Sequence, residues 1–240
     1  MEDQANSSEL FLFLASAVHD MKNSISVVSG TLESLLAAAP APDAPDDSAS
    51  PYAQMAQMLY QTKRLNDNLI QLLALYKQVG KPGYPFDIQP QMVGQLVEQV
   101  VAQEKILLAS RHIALETAFP PELIWCYDED LLIGVLGNAV NNAIRYTRDT
   151  IHLSAAEVDG WLEIRVEDNG GGYSAGLIEA GAEAMRGATG GVNFSTNSTG
   201  LGLYFSSEVA KMHKLRERRG VIRLENGGAL GGGCFILRLP

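Results

Sequence analysis

Near its N-terminus the chain carries two apolar seams of nearly equal length, separated by a stretch that no helix can cross. Phe11, Leu14, Val18, Met21, Ile25, Val28, Leu32 and Leu35 recur at alternating spacings of three and four residues, the pattern of one apolar stripe along a long helix. The run PAPDAPDDSASP from Pro40 to Pro51 ends it, because proline lacks the backbone N–H and restricts the residue before it. A second seam follows at Met55, Met58, Thr62, Leu65, Leu69, Leu72, Tyr76 and Val79. Two matched helices joined by a short loop make an antiparallel hairpin. Such a hairpin hides one face against itself and leaves apolar surface over, so residues 1–79 are expected to pair with a second copy as a dimeric four-helix bundle. Packing of the hairpin on the rest of its own chain is the competing arrangement.

GKPGYPFD, residues 80–87, is rich in glycine and proline and reads as a linker. Beyond it the pattern is mixed. Helices are expected around Met92 to Ser110, Asp128 to Tyr146 and Gly200 to His213. Strands are expected near Ile113 to Glu116, Leu123 to Tyr127, Ile151 to Ala155, Trp161 to Glu167, Val221 to Leu224 and Cys234 to Leu239. Between Glu167 and Thr199 lies a stretch rich in Gly, Ser, Thr and Asn. Helices interleaved with mostly hairpin-connected strands predict an α/β sandwich over residues 88–240, a mixed sheet with helices on one face. The whole is an α+β chain of two domains.

With 18 Lys and Arg against 28 Asp and Glu, the chain has a net charge of -10. That excludes a general nucleic-acid surface, which needs an excess of cations to neutralise phosphates. A nucleotide has to be held locally. Cys126 and Cys234 both sit in apolar runs and read as buried free thiols rather than a disulfide. No apolar run reaches the ~18 residues of a membrane helix, and the start MEDQANSSEL is polar. A cytoplasmic protein is expected, its stimulus supplied from outside this chain, by a separate sensor protein or by a sensor domain of a longer kinase.

Three motifs in the second domain point to nucleotide chemistry. LGNAVNNAIRYT places Asn138 and Asn142 four apart on one helix face, and amide oxygens are neutral, hard ligands suited to magnesium. The pair also suits plain polar positions. EDNGGGYSAG ends a strand on Asp168 and follows it with Gly170 and Gly172, so backbone can approach a ligand while the carboxylate accepts from an exocyclic amine. A simple glycine turn has the same composition. STGLGLYFSSEVAKMHK puts Gly200 and Gly202 at a helix start, where unpaired N–H groups and the helix dipole favour phosphate.

In this order and spacing the three segments resemble the N, G1 and G2 boxes of the histidine kinase ATP-binding domain of the GHKL superfamily, over roughly residues 88–240. The resemblance implies ATP and Mg²⁺ as cofactors. It implies that Asn142 ligates magnesium with Asn138 nearby, that Arg145 reaches the phosphates, and that Tyr146 lies against the base. It further implies that Asp168 reads the adenine amino group, and that Gly170, Gly172, Gly200, Leu201 and Gly202 shape the pocket and its lid. ALGGGCFILRLP looks like the family's closing strand, while the lid from about Tyr173 to Thr199 has no clear aromatic box, Phe194 being its one candidate. Related ATPases carry a glutamate where this chain has Asn138, and an amide cannot act as the general base for water. Phosphoryl transfer to a protein group is favoured over hydrolysis.

The first domain offers an acceptor at VHDMKNS. His19 stands beside the seam residue Val18, at the flank of the bundle, and a neutral imidazole oriented by a carboxylate is a good nucleophile. HDMKNS resembles the phosphoacceptor H box of two-component histidine kinases. By that resemblance His19 is phosphorylated, Asp20 is the general base, and Asn23 orients water if the protein also dephosphorylates its partner. The family usually has proline where Ser24 stands, so the helix here is expected to be straighter. His112, His152 and His213 lack such neighbours and read as structural or exposed. The function implied is autophosphorylation on His19 followed by transfer to a response regulator aspartate. The alternative is a phosphotransfer or scaffold protein with a vestigial ATP domain; an ATPase-type clamp is opposed by Asn138 and HDMKNS.

Overall fold

The computed structural model describes residues 21, 24–36, 51–52, 54–63, 65, 86–180 and 201–240. The chain divides into two compact units, Met1–Tyr84 and Pro85–Pro240.

In the first unit, residues 24–36 (α1) and 54–63 (α2) are helical, and Lys63 Nζ meets Glu33 Oε1 at 3.2 Å. Leu32 and Leu36 are buried on α1, and Ala56, Leu59 and Tyr60 on α2. The buried stripe is therefore rotated from the seam expected from spacing alone. Of the expected set, Met21, Val28, Leu35, Met58 and Leu65 are exposed.

The second unit runs β1 (Gln89–Met92), α3 (Val93–Ser110), β2 (Ala114–Ala118), β3 (Ile124–Tyr127), α4 (Glu129–Tyr146), β4 (Thr150–Val158), β5 (Trp161–Asp168), α5 (Ala175–Ala180), α6 (Leu201–Met212), β6 (Lys214–Leu215), β7 (Arg218–Arg219), β8 (Val221–Asn226) and β9 (Gly233–Leu239). Five strands form the main sheet in the order β2-β4-β5-β9-β8. β2 runs parallel to β4, and the other pairings are antiparallel. β1 pairs with β3 and β6 with β7 in two small ladders.

Strand alternation decides which face is core. Leu162, Ile164 and Val166 of β5 and Ile151, Leu153 and Ala155 of β4 are buried. The intervening positions carry Glu163, Arg165 and His152; Glu163 pairs with Arg165 and with Arg238, each at 3.2 Å, and His152 stands 3.5 Å from Glu167. Helices cover the apolar face: α3 buries Val93, Leu96, Val97, Val100 and Leu107, and α4 buries Leu132, Val135, Leu136, Val140 and Ile144, at helical spacings. Phe205 and Val209 of α6 complete the core. This is an α/β sandwich of the expected class. Among the described residues no helix is long and apolar enough to cross a membrane. Both cysteines are free; Cys234 is buried as expected, whereas Cys126 is exposed on the small β1–β3 ladder.

Candidate nucleotide site

α4 starts where its own chemistry says it should. The Asp128 carboxylate accepts from Leu131 N–H at 3.0 Å, and Glu129 and Asp130 place negative charge in the first turn. His213, buried at the end of α6, accepts the Asp128 N–H on Nε2 at 3.1 Å, while its Nδ1 meets the Val209 carbonyl at 2.8 Å. Because a carbonyl only accepts, Nδ1 carries the proton and the ring is neutral; burial holds its pKa below the ordinary histidine value. The edge of Phe86 meets this ring at a centroid distance of 4.9 Å, and Asp128 Oδ2 accepts the Asp87 N–H at 3.0 Å. One histidine thus joins the end of α6 to the start of α4, beside the strand that enters the unit.

That anchoring matters because α4 presents Asn138, Asn142, Arg145 and Tyr146 along its last turns. Asn138 lies against Gly202 at the start of α6: a Cβ built on Gly202 would stand 2.6 Å from the Asn138 amide nitrogen. Asn138 Nδ2 is buried and has no hydrogen-bond partner among the described residues. An orphan donor of this kind costs about 1–3 kcal/mol unless something accepts from it. Beside it, the first turn of α6 has backbone N–H groups without intrahelical acceptors. The residues here fit the phosphates of a nucleotide. Arg145 lies over the Tyr146 ring at 5.1 Å, and Tyr146 is half exposed at the helix end.

The end of β5 supplies the second group. Asp168 is buried, and its Oδ1 accepts from Gly170 N–H at 2.7 Å and Gly233 N–H at 3.2 Å. Neither bond uses Oδ2. Gly232 N–H donates to the Asp168 carbonyl at 3.0 Å. Side chains at Gly170, Gly232 or Gly233 would collide with this arrangement, Gly170 also with the Tyr146 carbonyl. The glycines let the end of β5, the end of α4 and the start of β9 close on one carboxylate.

Two side chains that the sequence motifs left without a role, Asn169 and Asn226, hold this loop. Asn169 Oδ1 accepts from Thr147 Oγ1 at 2.8 Å and from the N–H groups of Arg148, Asp149 and Thr150 at 3.1 to 3.3 Å. Its Nδ2 donates to Asp149, whose pKa is lowered by hydrogen bonds from Thr150 and then Asn169. Asn226 of β8 accepts the Tyr173 N–H at 2.7 Å and donates to the Tyr173 carbonyl at 2.8 Å. Gly172 turns the chain towards it at φ 75°. The Tyr173 ring packs beside Gly233, and burial, then the negative charge of Asp168, raises its pKa. Asx side chains that mimic backbone are local signals, but their partners here lie about 20 to 50 residues away in sequence.

The structure brings Asn138 to Gly202, and Tyr146 to Gly170 and Asp168. Asn142 sits one turn beyond Asn138 on α4. Among the described residues no three His, Cys, Asp or Glu side chains cluster as a metal cage. A single amide oxygen fits a magnesium ion whose other ligands are phosphate and water. His19, Asp20, Asn23, Phe194 and Gly200 lie outside the described residues, and Leu201 opens α6.

Residues 127–240 match the family described as histidine kinase-, DNA gyrase B-, and HSP90-like ATPase. Sensor-like histidine kinase SenX3 of Mycolicibacterium smegmatis is 29% identical over 95% of this chain and 56% of its own length. Sensor protein SrrB of Staphylococcus aureus is 24% identical over 95% of this chain and 37% of its own. The chain thus spans about half the length, or less, of the curated relatives it matches. Full-length ShkA in complex with AMPPNP superposes with a TM-score of 0.58 at 21% identity, covering 95% of this chain and 45% of that one. The catalytic domain of histidine kinase ThkA gives 0.53 at 21% identity, over 64% of this chain and 95% of that one. These two likenesses are of fold.

Proposed function

We propose that the chain is an ATP-dependent protein histidine kinase of two-component signalling; in support, residues 127–240 match the histidine kinase-, DNA gyrase B-, and HSP90-like ATPase family, and SenX3 and SrrB are 29% and 24% identical over 95% of the chain. The observation that carries the reading is the buried Asp168 carboxylate, pinned on Oδ1 by glycine N–H groups where any side chain would collide.

In this reading Asp168 Oδ2 accepts from the adenine amino group, and Tyr146 lies against the base. Gly170 and Gly172 keep the pocket open. Asn138 Nδ2, Arg145 and the N–H groups from Gly200 through Leu201 to Gly202 donate to phosphate oxygens, and Asn142 offers Oδ1 to the cation. Bound Mg²⁺ supplies charge neutralisation across the phosphates. His19 then attacks the γ-phosphorus through one ring nitrogen as the bond to the bridging oxygen breaks and ADP leaves. Asp20 takes the proton from the other ring nitrogen. Most of the rate comes from holding these groups in line. The phosphoryl group passes to an aspartate of a response regulator, and Asn23 orients water if the protein also hydrolyses that aspartyl phosphate, releasing inorganic phosphate.

The acceptor hairpin works as a homodimer. Its support is that Met21, Val28 and Leu35 recur every seven residues on α1 and just before it, Met58 and Leu65 do so on and after α2, and all five are exposed on a single chain. A second copy would cover them. The stimulus comes from a sensor, on another protein or another part of a longer chain.

The test is nucleotide affinity with and without Mg²⁺, followed by incubation of the labelled protein with a panel of response regulators. Magnesium-dependent binding and rapid transfer to one regulator are expected. Equally weak binding in both conditions would sink the kinase reading and leave a scaffold.

A further inference from the structure

One corner of the second unit has a composition unlike the rest of the chain. Between the buried His213 and Gly220, the β6–β7 hairpin reads KLRERR. Lys214, Arg216, Arg218 and Arg219 face one acid, Glu217, in a chain whose net charge is -10. All six residues are exposed, Leu215 at 58% of its surface.

The hairpin is held in place by its neighbours. Gly220 N–H donates to the His213 carbonyl at 2.8 Å and closes its base. Arg218 lies over the Trp161 ring at 5.4 Å and donates to the Gly160 carbonyl at 3.2 Å. Arg238 lies over the same ring at 5.5 Å. Val158 and Val221, at the edges of this corner, are exposed apolar side chains. Lys214, Arg216 and Arg219, by contrast, have no ion-pair partner among the described residues.

The turn itself is a second, independent observation. Arg216 sits at φ 56°, a left-handed conformation that two-residue hairpin turns normally fill with Asn or Gly. An arginine there costs the fold about 1 kcal/mol, and that cost buys nothing inside the domain, since the side chain is exposed.

We propose that the β6–β7 hairpin, together with Trp161 and Leu215, is a docking surface for an acidic segment of a second protein that presents carboxylates beside an apolar side chain. Arginine forks match carboxylates bidentately, and Arg with aromatic residues is the composition of protein interfaces. A membrane is disfavoured by the exposed carboxylates of Glu157, Asp159 and Glu217 around the patch, and by a net negative protein behind it. The surface is separate from the nucleotide site. Trp161 begins β5 and Asp168 ends it, so the two lie about 24 Å apart at ~3.4 Å per residue.

The test uses the full chain and a fluorescein-labelled peptide of about ten Glu residues around a central Leu-Leu, read by anisotropy at low and high salt. The wild type binds, more weakly as salt rises. The double variant Arg216→Glu, Arg219→Glu weakens binding by about tenfold or more, and Leu215→Ser by about threefold, while ATP-analogue affinity stays at the wild-type value in both. That unchanged affinity reports that each variant is folded. The charge-neutral pair Arg216→Gln, Arg219→Gln falls between. No peptide binding, or binding unaffected by charge reversal, overturns the proposal. Phosphatidylserine vesicles that bind through the same arginines when the peptide does not would overturn it in favour of a lipid surface.

Discussion

Replacing His213 with phenylalanine keeps the ring's bulk and removes both ring nitrogens. The buried Asp128 N–H then has no acceptor, and the bond to the Val209 carbonyl is lost as well. A buried donor left unsatisfied costs about 1–3 kcal/mol, and a shape-matched ring limits any cavity contribution. The expected loss is about 2 kcal/mol, or ~4–8 °C in Tm for a unit of this size. Burial depresses the folded-state pKa of His213, so the unfolded chain binds a proton more readily than the fold. This contribution is complete above the unfolded value near ~6.5 and is lost as pH falls below it, at no more than about 1.4 kcal/mol per pH unit. Urea unfolding followed by the fluorescence of Trp125 and Trp161 at pH 7.5 and pH 5.5 measures both effects, since pH steps common to all groups cancel between wild type and variant. Wild type should lose more stability between the two pH values than His213→Phe. Equal stability at neutral pH, or parallel losses on acidification, would refute the buried neutral latch.

Asp168→Asn keeps the side chain's shape but puts an amide donor where a carboxylate oxygen accepts, and ATP affinity by calorimetry should fall about 10–100-fold; wild-type affinity would contradict the assigned role. Gly202→Ala drives a methyl group into the Asn138 amide, so nucleotide affinity should drop about tenfold while α4 and the sheet stay folded by circular dichroism; unchanged affinity would separate this contact from the phosphates. Asn226→Ala removes both hydrogen bonds to the Tyr173 backbone. The 170–174 loop should exchange its amides faster and the unit should lose about 1–2 kcal/mol, so wild-type protection at Tyr173 would show that the clamp is dispensable.

The periodic parts of the second unit were legible because burial there follows period. The helix expected from Met92 is seen at Val93–Ser110, the one from Asp128 at Glu129–Tyr146, and the strand expected from Trp161 at Trp161–Asp168. β1 was missed because Pro90 and two glutamines look like linker, and its pairing with β3 is supplied by a partner over thirty residues away. The β6–β7 hairpin was missed because its turn lacks the Asn or Gly that announces one; Arg216 takes the left-handed conformation instead. In the first unit, spacing identified helical segments, but within a single chain only part of the expected seam, Leu32 among it, is buried. Apolar residues occupy more than one heptad position, and a stripe that is exposed in one chain, such as Met21, Val28 and Leu35, reads the same as one buried within it. At the site, Asp168 and its glycines were readable as a motif. The clamps Asn169 and Asn226 were not, since an Asx side chain has the same local signature whether it caps a turn or ties down a loop from another strand.

The central claim is that phosphorus moves from ATP to an imidazole of the first unit. The most direct measurement is incubation of the full chain with [γ-³²P]ATP and Mg²⁺, followed by acid and alkali treatment, beside His19→Gln. The expected label survives alkali, is lost in acid and is absent from the variant. An acid-stable label, or full labelling of His19→Gln, would contradict it.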